Sequence, residues 1–479
     1  MRLPARTDVT VVGCGPVGAT LAILLRSRGF SVTMLERHPD IYHLPRAVMM
    51  DDEIRRMLQN HDMEHHLAPL LQPMRGAEFV DKDFNHLMGV TMEADAVGPL
   101  GHPTSNAHYQ PELDALLRTI ARERGADIHL GETLVDISQD ASSTTATTAA
   151  GDTVTSKWLV GCDGANSTVR SLLGIEIEDL GFDQDWLVVD VDLPRSDSVD
   201  LPVIAQQVCD PARPSTFVPG VRRHRRWEFQ IQDGETHEEM TDHDRVWQLI
   251  EPWMRPDQGR IVRAVVYRFH AMVANSMRDG RVFLAGDSAH QMPPFLGQGL
   301  NTGMRDAMNL TWKLDFLERG IASDRLLDSY ESERKPHARE VVAHAADVGK
   351  LIDSLAGRAD HDVDERSAYG GGRRVSAYSE GVVVGDDALI GRQLHQPMVD
   401  GVFFDESLTR GIDVVTTDPA MKMPETLTRF GGKVVAAATP TQIGDHAAVI
   451  VRPDRYIAAV ANSQAELEAA AASLADRIA

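Results

Sequence analysis

The sequence predicts an α/β protein: a discontinuous parallel-sheet domain, an antiparallel-sheet domain set within it, and a small C-terminal domain. Three observations carry this. Residues 8–37 read as strand, tight glycine turn, helix and strand, which is one βαβ unit. Between about 181 and 276 the texture changes to alternating segments such as DWLVVDVDL and RWEFQIQ, as an antiparallel sheet with one buried face requires. Helix-and-strand patterning then returns at RVFLAGD, so the first domain resumes after the second.

Taken in order, DVTVV (8–12) is β-branched and ends at Gly13, and PVGATLAILLRSRG then places Val17, Leu21, Leu24 and Leu25 at helical spacing before Gly29. SVTMLER carries the chain back as a second strand. QPELDALLRTIARERG is a helix with Pro111 in its first turn, a stripe of Leu113, Leu116, Leu117 and Ile120, and Gly125 at its end. DIHLGETLVDIS and TVTSKWLVGCDG read as strands around the Ser/Thr/Ala stretch 141–150, which is expected to be a hairpin. Helices are expected over 300–320 and 323–352, the latter kinked at Pro336. The polar, glycine-rich 356–376 segment reads as a linker, with strand and helix signals behind it.

The chain has 479 residues, 43% hydrophobic and 25% charged, values of a globular protein with real cores. Its net charge of −23 repels phosphate backbones and anionic lipids, so neither nucleic acid nor a membrane surface is expected as a partner. Cys14, Cys162 and Cys209 are too few and too scattered for a disulfide framework or a CxxC metal site. A reducing cytoplasm and no metal are therefore expected. The start of the chain lacks the apolar run of a signal peptide, and no stretch of 18 apolar residues suggests a membrane span.

The chemistry-bearing motif is Gly13-Cys14-Gly15-Pro16-Val17-Gly18, a GxGxxG between strand and helix, where backbone amides and a helix N-terminus can meet a pyrophosphate. Glu36 ends the next strand, where a carboxylate accepts from a ribose diol and repels a 2′-phosphate, so FAD or NAD is expected in this Rossmann-like domain and NADP is not. Two further acid–glycine turns follow strands: Asp163-Gly164-Ala165-Asn166-Ser167 with Arg170, and Gly286-Asp287-Ser288-Ala289-His290. Alone, each is an ordinary strand-end turn.

Together the three motifs resemble the class A FAD-dependent aromatic hydroxylases, the p-hydroxybenzoate hydroxylase fold, and within it the 3-(3-hydroxyphenyl)propionate hydroxylase group. The most specific stretch is GRVFLAGDSAHQMPPFLGQGLNTGMRDAMNLTWKL (280–314), supported by PRAVMMDDE, NAHYQPELDALL and GFDQDWLVVDV, and the resemblance spans about 7–345. It implies an FAD-binding domain over 1–74, 103–180 and 277–355, a substrate-binding sheet domain over 75–102 and 181–276, and a thioredoxin-like C-terminal domain over 375–479. That last domain contains no cysteine, so thiol redox chemistry there is impossible and a structural or oligomerisation role is expected.

Carried over position by position, the resemblance implies that Gly13, Gly15, Pro16, Val17 and Gly18 hold the FAD pyrophosphate, and that Glu36 with Arg37 meets the adenosine ribose. It puts Arg46 beside the flavin phosphates, Gln110 near the ribityl chain and Leu134 at the adenine. Asp163, Gly164 and Arg170 would serve FAD and the visiting nicotinamide nucleotide, Gly286 and Asp287 the ribityl hydroxyls, and Pro293, Pro294, Gly297, Gly299, Leu300 and Asn301 the flavin ring. No second GxGxxG unit exists, since Gly370-Gly371-Gly372 lies in the linker, so NADH or NADPH would visit without its own domain.

The implied activity is hydroxylation of a small electron-rich aromatic, phenolic or heteroaromatic, through a C4a-hydroperoxyflavin made from FAD, NAD(P)H and O2. Two alternatives stand beside it: an FAD-dependent reductase or dehydrogenase on this scaffold, and a flavin-binding accessory protein without turnover. Arg46, Pro294 and His270 are the candidate catalytic residues. His270 could deprotonate a phenol, or it could be a strand histidine satisfied by a neighbour. His290 is expected to serve local hydrogen bonding. Arg222 to Arg226 reads as a solvated hairpin tip, and Met49 and Met50 as core fillers or the floor of an adaptable pocket. A monomer or homodimer is expected.

Overall fold

A computed structural model describes residues 3–41, 43–93, 96–358 and 376–479. The sequence-expected linker and its Gly370-Gly371-Gly372 run fall almost wholly outside the described residues.

Strand Arg6–Val12 pairs in parallel with Val32–Glu36 on one side and Thr153–Gly161 on the other, and Asp127–Leu130 and Val282–Leu284 extend the parallel set at either end. This central sheet thus draws strands from three separate stretches of chain, as discontinuity demands. Helix Pro16–Arg26 follows because Pro16 supplies a pre-set first turn, and its apolar residues Leu21, Ile23, Leu24 and Leu25 are fully buried. Helices Gln110–Glu123 and Gly299–Glu318 pack against it. Leu134–Gln139 and Thr144–Thr148 form the expected hairpin, which joins Thr153–Gly161 in antiparallel register. Arg325–Leu355 is one 31-residue helix that runs on through Pro336.

The second sheet has eight strands, with Ile177–Asp192 and Arg260–Ala274 paired along most of their lengths toward one side of it, beside the short edge strand His290–Gln291. Strand Gly76–Asp81 joins this sheet from the earlier segment and pairs in parallel with Ala205–Cys209, so the sheet is mixed where pure antiparallel pairing was expected. The two strands come from segments separated by the intervening chain, and no tight hairpin forces them antiparallel. One face of the sheet is apolar: Leu187, Val189, Val191, Phe217, Trp227 and Phe229 pack against Met240, Val246 and Ile250 of two short helices. Period-two alternation sends their neighbours to the opposite face.

Behind residue 376 the chain builds a four-stranded sheet in the order Val434–Ala436, Asp413–Thr416, Ala448–Val451, Ile457–Ala461, with helix Gln464–Ile478 packed on it. Its core is continuous with Trp312, Phe316 and Leu326 from the long helices of the first domain. Buried ion pairs lock the junction. Arg56 donates twice to Asp405, and Glu333 accepts from Lys313, Asn309, Arg452 and the Val382 amide. Burial opposes ionisation of both carboxyls, but the facing cations win and hold Glu333 and Asp405 at about 2.

Candidate active site

A cavity of about 970 Å³ lies between the parallel sheet's C-terminal edge and the inner face of the second sheet. Its first wall is the glycine turn. Gly13 has φ +100°, and a Cβ there would stand 2.3 Å from the Cys162 carbonyl oxygen, while one on Gly18 would stand 2.2 Å from the Gly13 carbonyl oxygen. Only bare glycines let strand, turn and helix close this tightly, which leaves Gly15, Pro16 and Val17 at the helix opening exposed to the cavity. Glu36 accepts from the Cys14 amide at 2.8 Å and the His38 amide at 2.9 Å, and Arg118 Nε donates to the Cys14 carbonyl at 2.7 Å. Burial pushes the Cys14 thiol up to about 12, so it is a packing residue.

The second wall is the Gly286–Ser288 turn. Its amide at Gly286 donates to Asp306 (2.9 Å), which also accepts from Arg334 and pairs with His290 at 2.7 Å. His290 thus has the local hydrogen-bonding part expected of it. Asp287, by contrast, is exposed to the cavity and makes no hydrogen bond or ion pair among the described residues.

Pro294–Leu296 form a 3-10 turn closed by Gly297 at φ +62°, and helix Gly299–Glu318 opens directly behind it. Asn301 is fully buried beneath this turn: its amide donates to the Gly297 carbonyl at 2.8 Å and its oxygen accepts from the Asp51 amide at 3.0 Å. Asn301 is therefore a staple, while Pro294, Gly297, Gly299 and Leu300 line the cavity with Met49. Gln110 fixes the facing segment by accepting from the Arg46 and Ala47 amides at 3.0 and 2.6 Å, and Arg46 lines the cavity.

The floor is the inner sheet face. Ala77, Val90, Ala205, Val218 and Val188 make it apolar, and Arg226, Glu228, Arg263, Tyr267, Phe269 and His270 close one side. The solvated hairpin tip expected for the arginine cluster is corrected here. Arg222 and Arg223 are exposed, but His224 and Arg226 sit on a central strand and are buried around Asp190, which also meets Arg263 at 2.7 Å. Burial pushes the Asp190 carboxyl up, but Arg226, His224 and Arg263 outweigh it and hold the carboxyl well below the ordinary range. Arg226 also donates to the carbonyls of Pro45 and Arg46, tying the sheet to the segment that carries Arg46. His270 lines the cavity with Nδ1 3.4 Å from Asp183.

Several expected residues support the rim from behind. Asp163 accepts from Ser167 Oγ and from the amides of Thr168 and Val169, fixing a short helix, and Arg170 donates to the carbonyls of Ser288 and Ala165. The two thereby bind the second and third turns together, with Gly164 and Ala165 left to line the cavity. Arg37 is exposed beside His38, and Leu134 is buried at the start of its strand. Sequence reasoning missed Glu228, Arg263 and Tyr267, and it missed Gln393 and Tyr456, which reach the cavity from the C-terminal unit. Alternation along RWEFQIQ would have put Arg226 and Glu228 on one face with Trp227 and Phe229 on the other.

The residues suit FAD: a cradle that a Cβ would fill, a helix N-terminus at the cavity, a carboxylate for hydroxyls, and a cavity of about 970 Å³. The model of the FAD binding domain family matches residues 6–345. A Rhodococcus jostii (strain RHA1) protein named "Probable NADH-specific resorcinol 4-hydroxylase" is 34% identical over 509 residues, covering 98% of this chain and 95% of that one. The chain belongs to the FAD-dependent aromatic hydroxylases. A 3-(3-hydroxy-phenyl)propionate/3-hydroxycinnamic acid hydroxylase of Comamonas testosteroni is 38% identical over 349 residues, 71% of this chain and 58% of that relative. In fold, this hydroxylase matches the structure of aklavinone-11 hydroxylase with FAD and aklavinone at TM-score 0.82, with 23% identity and 98% and 99% of the two chains covered. It is an FAD-dependent aromatic monooxygenase that draws on a reduced nicotinamide nucleotide and oxygen. Family membership decides against the reductase and the silent flavin binder. No helix among the described residues is long and apolar enough to cross a membrane.

Proposed function

We propose that this monooxygenase hydroxylates a small phenol carrying one or more free hydroxyls, of the resorcinol type, with NADH as the electron donor. The observation that carries the reading is a cavity of about 970 Å³ lined both by the flavin-suited turns and by a sheet face that includes Val188, Val218, Arg226, Glu228 and Arg263. A small ring suits the apolar lining, and Arg226, Glu228 and Arg263 offer polar partners that would orient its hydroxyl. The full-length match to the Rhodococcus protein supports both the substrate class and the nucleotide.

FAD, when bound, supplies hydride acceptance and oxygen activation. The chain's own residues do the rest. Gly13, Gly15 and Gly18 would present amides and a helix N-terminus to the pyrophosphate, and Asp287 would accept from ribityl hydroxyls. The helix opening at Gly299 aims its positive end where negative charge collects during turnover. Val188, Val218, Phe269 and Phe295 keep water from the reacting ring. We read Arg46, which lines the cavity, as the cation that would register whether flavin and substrate are both seated. We read the units as an FAD domain, a substrate sheet domain and a thioredoxin-like C-terminal domain, the last supported by its 2-1-3-4 strand order with the third strand antiparallel. A cytoplasmic location accords with three free cysteines. The test is NADH against NADPH oxidation across resorcinol, phenol and aromatic acids with product mass measured; consumption without a hydroxylated phenol refutes the substrate class.

A further inference from the structure

Glu228 differs from Asp287, the exposed cavity carboxylate, in being buried. It lies on the central strand His224–Gln230, is 5% exposed, lines the cavity, and makes no hydrogen bond among the described residues. Its one ionic neighbour is Arg226 Nη1 at 4.0 Å. Asp190, by comparison, is engaged by His224, Arg226 and Arg263 together. A carboxylate taken out of water without a hydrogen bond is costly, and in a pocket built for substrate its missing partner is a ligand group.

We infer that Glu228 is the acceptor and general base for a substrate phenol hydroxyl. The inference rests on the reading that the substrate is a phenol. As the ring is attacked, the phenol O–H bond breaks and an H–O bond forms on a Glu228 carboxylate oxygen; the electron pair left on the phenol oxygen feeds the ring. When the hydroxylated carbon loses its hydrogen to water as a proton, Glu228 returns its own proton to the phenol oxygen. Arg226 and Arg263 stabilise the transient phenolate. The charged and titratable groups facing Glu228 are Arg226 on its own strand, Asp190 on one neighbouring strand, and Arg263 and Tyr267 on the strand beyond; the neighbour on its other side presents Thr216. Burial, reinforced by Asp190 and offset by Arg226 and Arg263, raises the Glu228 carboxyl above its ordinary range, which brings it closer to the phenol it must deprotonate. His270, already beside Asp183 at the sheet's rim, is not needed as the base.

The experiment compares wild-type holoenzyme with Glu228→Gln and Glu228→Asp at equal flavin content, using resorcinol and a nitro-substituted resorcinol that is ionised at assay pH. For Glu228→Gln, hydroxylated product per NADH consumed should fall by about 10²-fold with resorcinol, the size of a lost general base. With the pre-ionised phenol the fall should be under about tenfold, and Glu228→Asp should recover part of the resorcinol activity. Resorcinol binding to the resting enzyme, read by flavin absorbance, should weaken toward acid in wild type and lose that limb in Glu228→Gln. Equal losses with both phenols, or an unchanged acid limb, overturn the assignment while leaving the phenol reading intact. Wild type that hydroxylates no phenol overturns both.

Discussion

Tyr456→Phe removes one hydroxyl from the C-terminal unit and reports on how that unit holds the active site. The Tyr456 hydroxyl donates to Glu53 Oε1 at 2.6 Å; Gln393 Nε2 donates to the same oxygen at 3.3 Å, and Arg305 Nε donates to Oε2 at 2.7 Å. Arg305 also bridges to Asp51, whose amide is held by Asn301 beneath the Gly297 turn. All of these groups are buried or nearly so. Losing a hydrogen bond to a carboxylate costs about 1.5–3 kcal/mol, and Glu53 keeps two donors. Glu53→Gln instead strips Arg305 of one of its two carboxylates at full burial, a change of about 3–5 kcal/mol. Guanidinium unfolding at saturating FAD, followed by tryptophan and flavin fluorescence together, should therefore rank wild type above Tyr456→Phe above Glu53→Gln, with flavin released ahead of global unfolding in both variants. Equal stability of all three, or Tyr456→Phe as damaging as Glu53→Gln, would refute the claim that the C-terminal unit braces the cavity through this carboxylate.

Gly18→Ala puts a methyl 2.2 Å from a backbone carbonyl, so the turn must open, and FAD affinity measured by titration should fall at least about tenfold. Asp287→Ala should weaken FAD by about 1.5–3 kcal/mol without unfolding the chain, since Asp287 holds nothing else in place; unchanged affinity would move the ribityl chain elsewhere. Glu333, held at about 2 against an ordinary 4.5, contributes stability that is complete above pH 4.5 and is lost as pH falls toward 2, roughly 3 kcal/mol in all. Thermal melts should therefore be acid-sensitive in that window, and Glu333→Gln should already be unstable at neutral pH. Arg46→Ala should reduce the acceleration of flavin reduction by substrate in stopped flow, where wild type is expected to gain at least about tenfold.

Much of the turn geometry around the cavity was legible because glycine turns act locally. The close packing at Gly13 and Gly18 and the cavity-lining position of Asp287 come from the few residues around them, and the strand–turn–helix pattern displays that neighbourhood in sequence. The substrate side was not, because its chemistry is assembled across strands. Arg226 and Arg263 look like surface charge in sequence, and only the pairing of both with Asp190 turns them into a buried site. Asp163 and Arg170 sit in the turn the sequence marks, and the structure adds hydrogen bonds to backbone that the sequence does not display. The contribution of Gln393 and Tyr456 depended on a docking surface no local pattern encodes.

The most direct test of the account is the stoichiometry of NADH, oxygen and product with resorcinol as substrate. The account predicts one NADH and one O2 consumed per hydroxylated ring, one oxygen atom of labelled O2 in the product, and little NADH oxidation without the phenol. Fast NADH oxidation that is indifferent to every phenol and leaves no labelled oxygen in an aromatic product would contradict it.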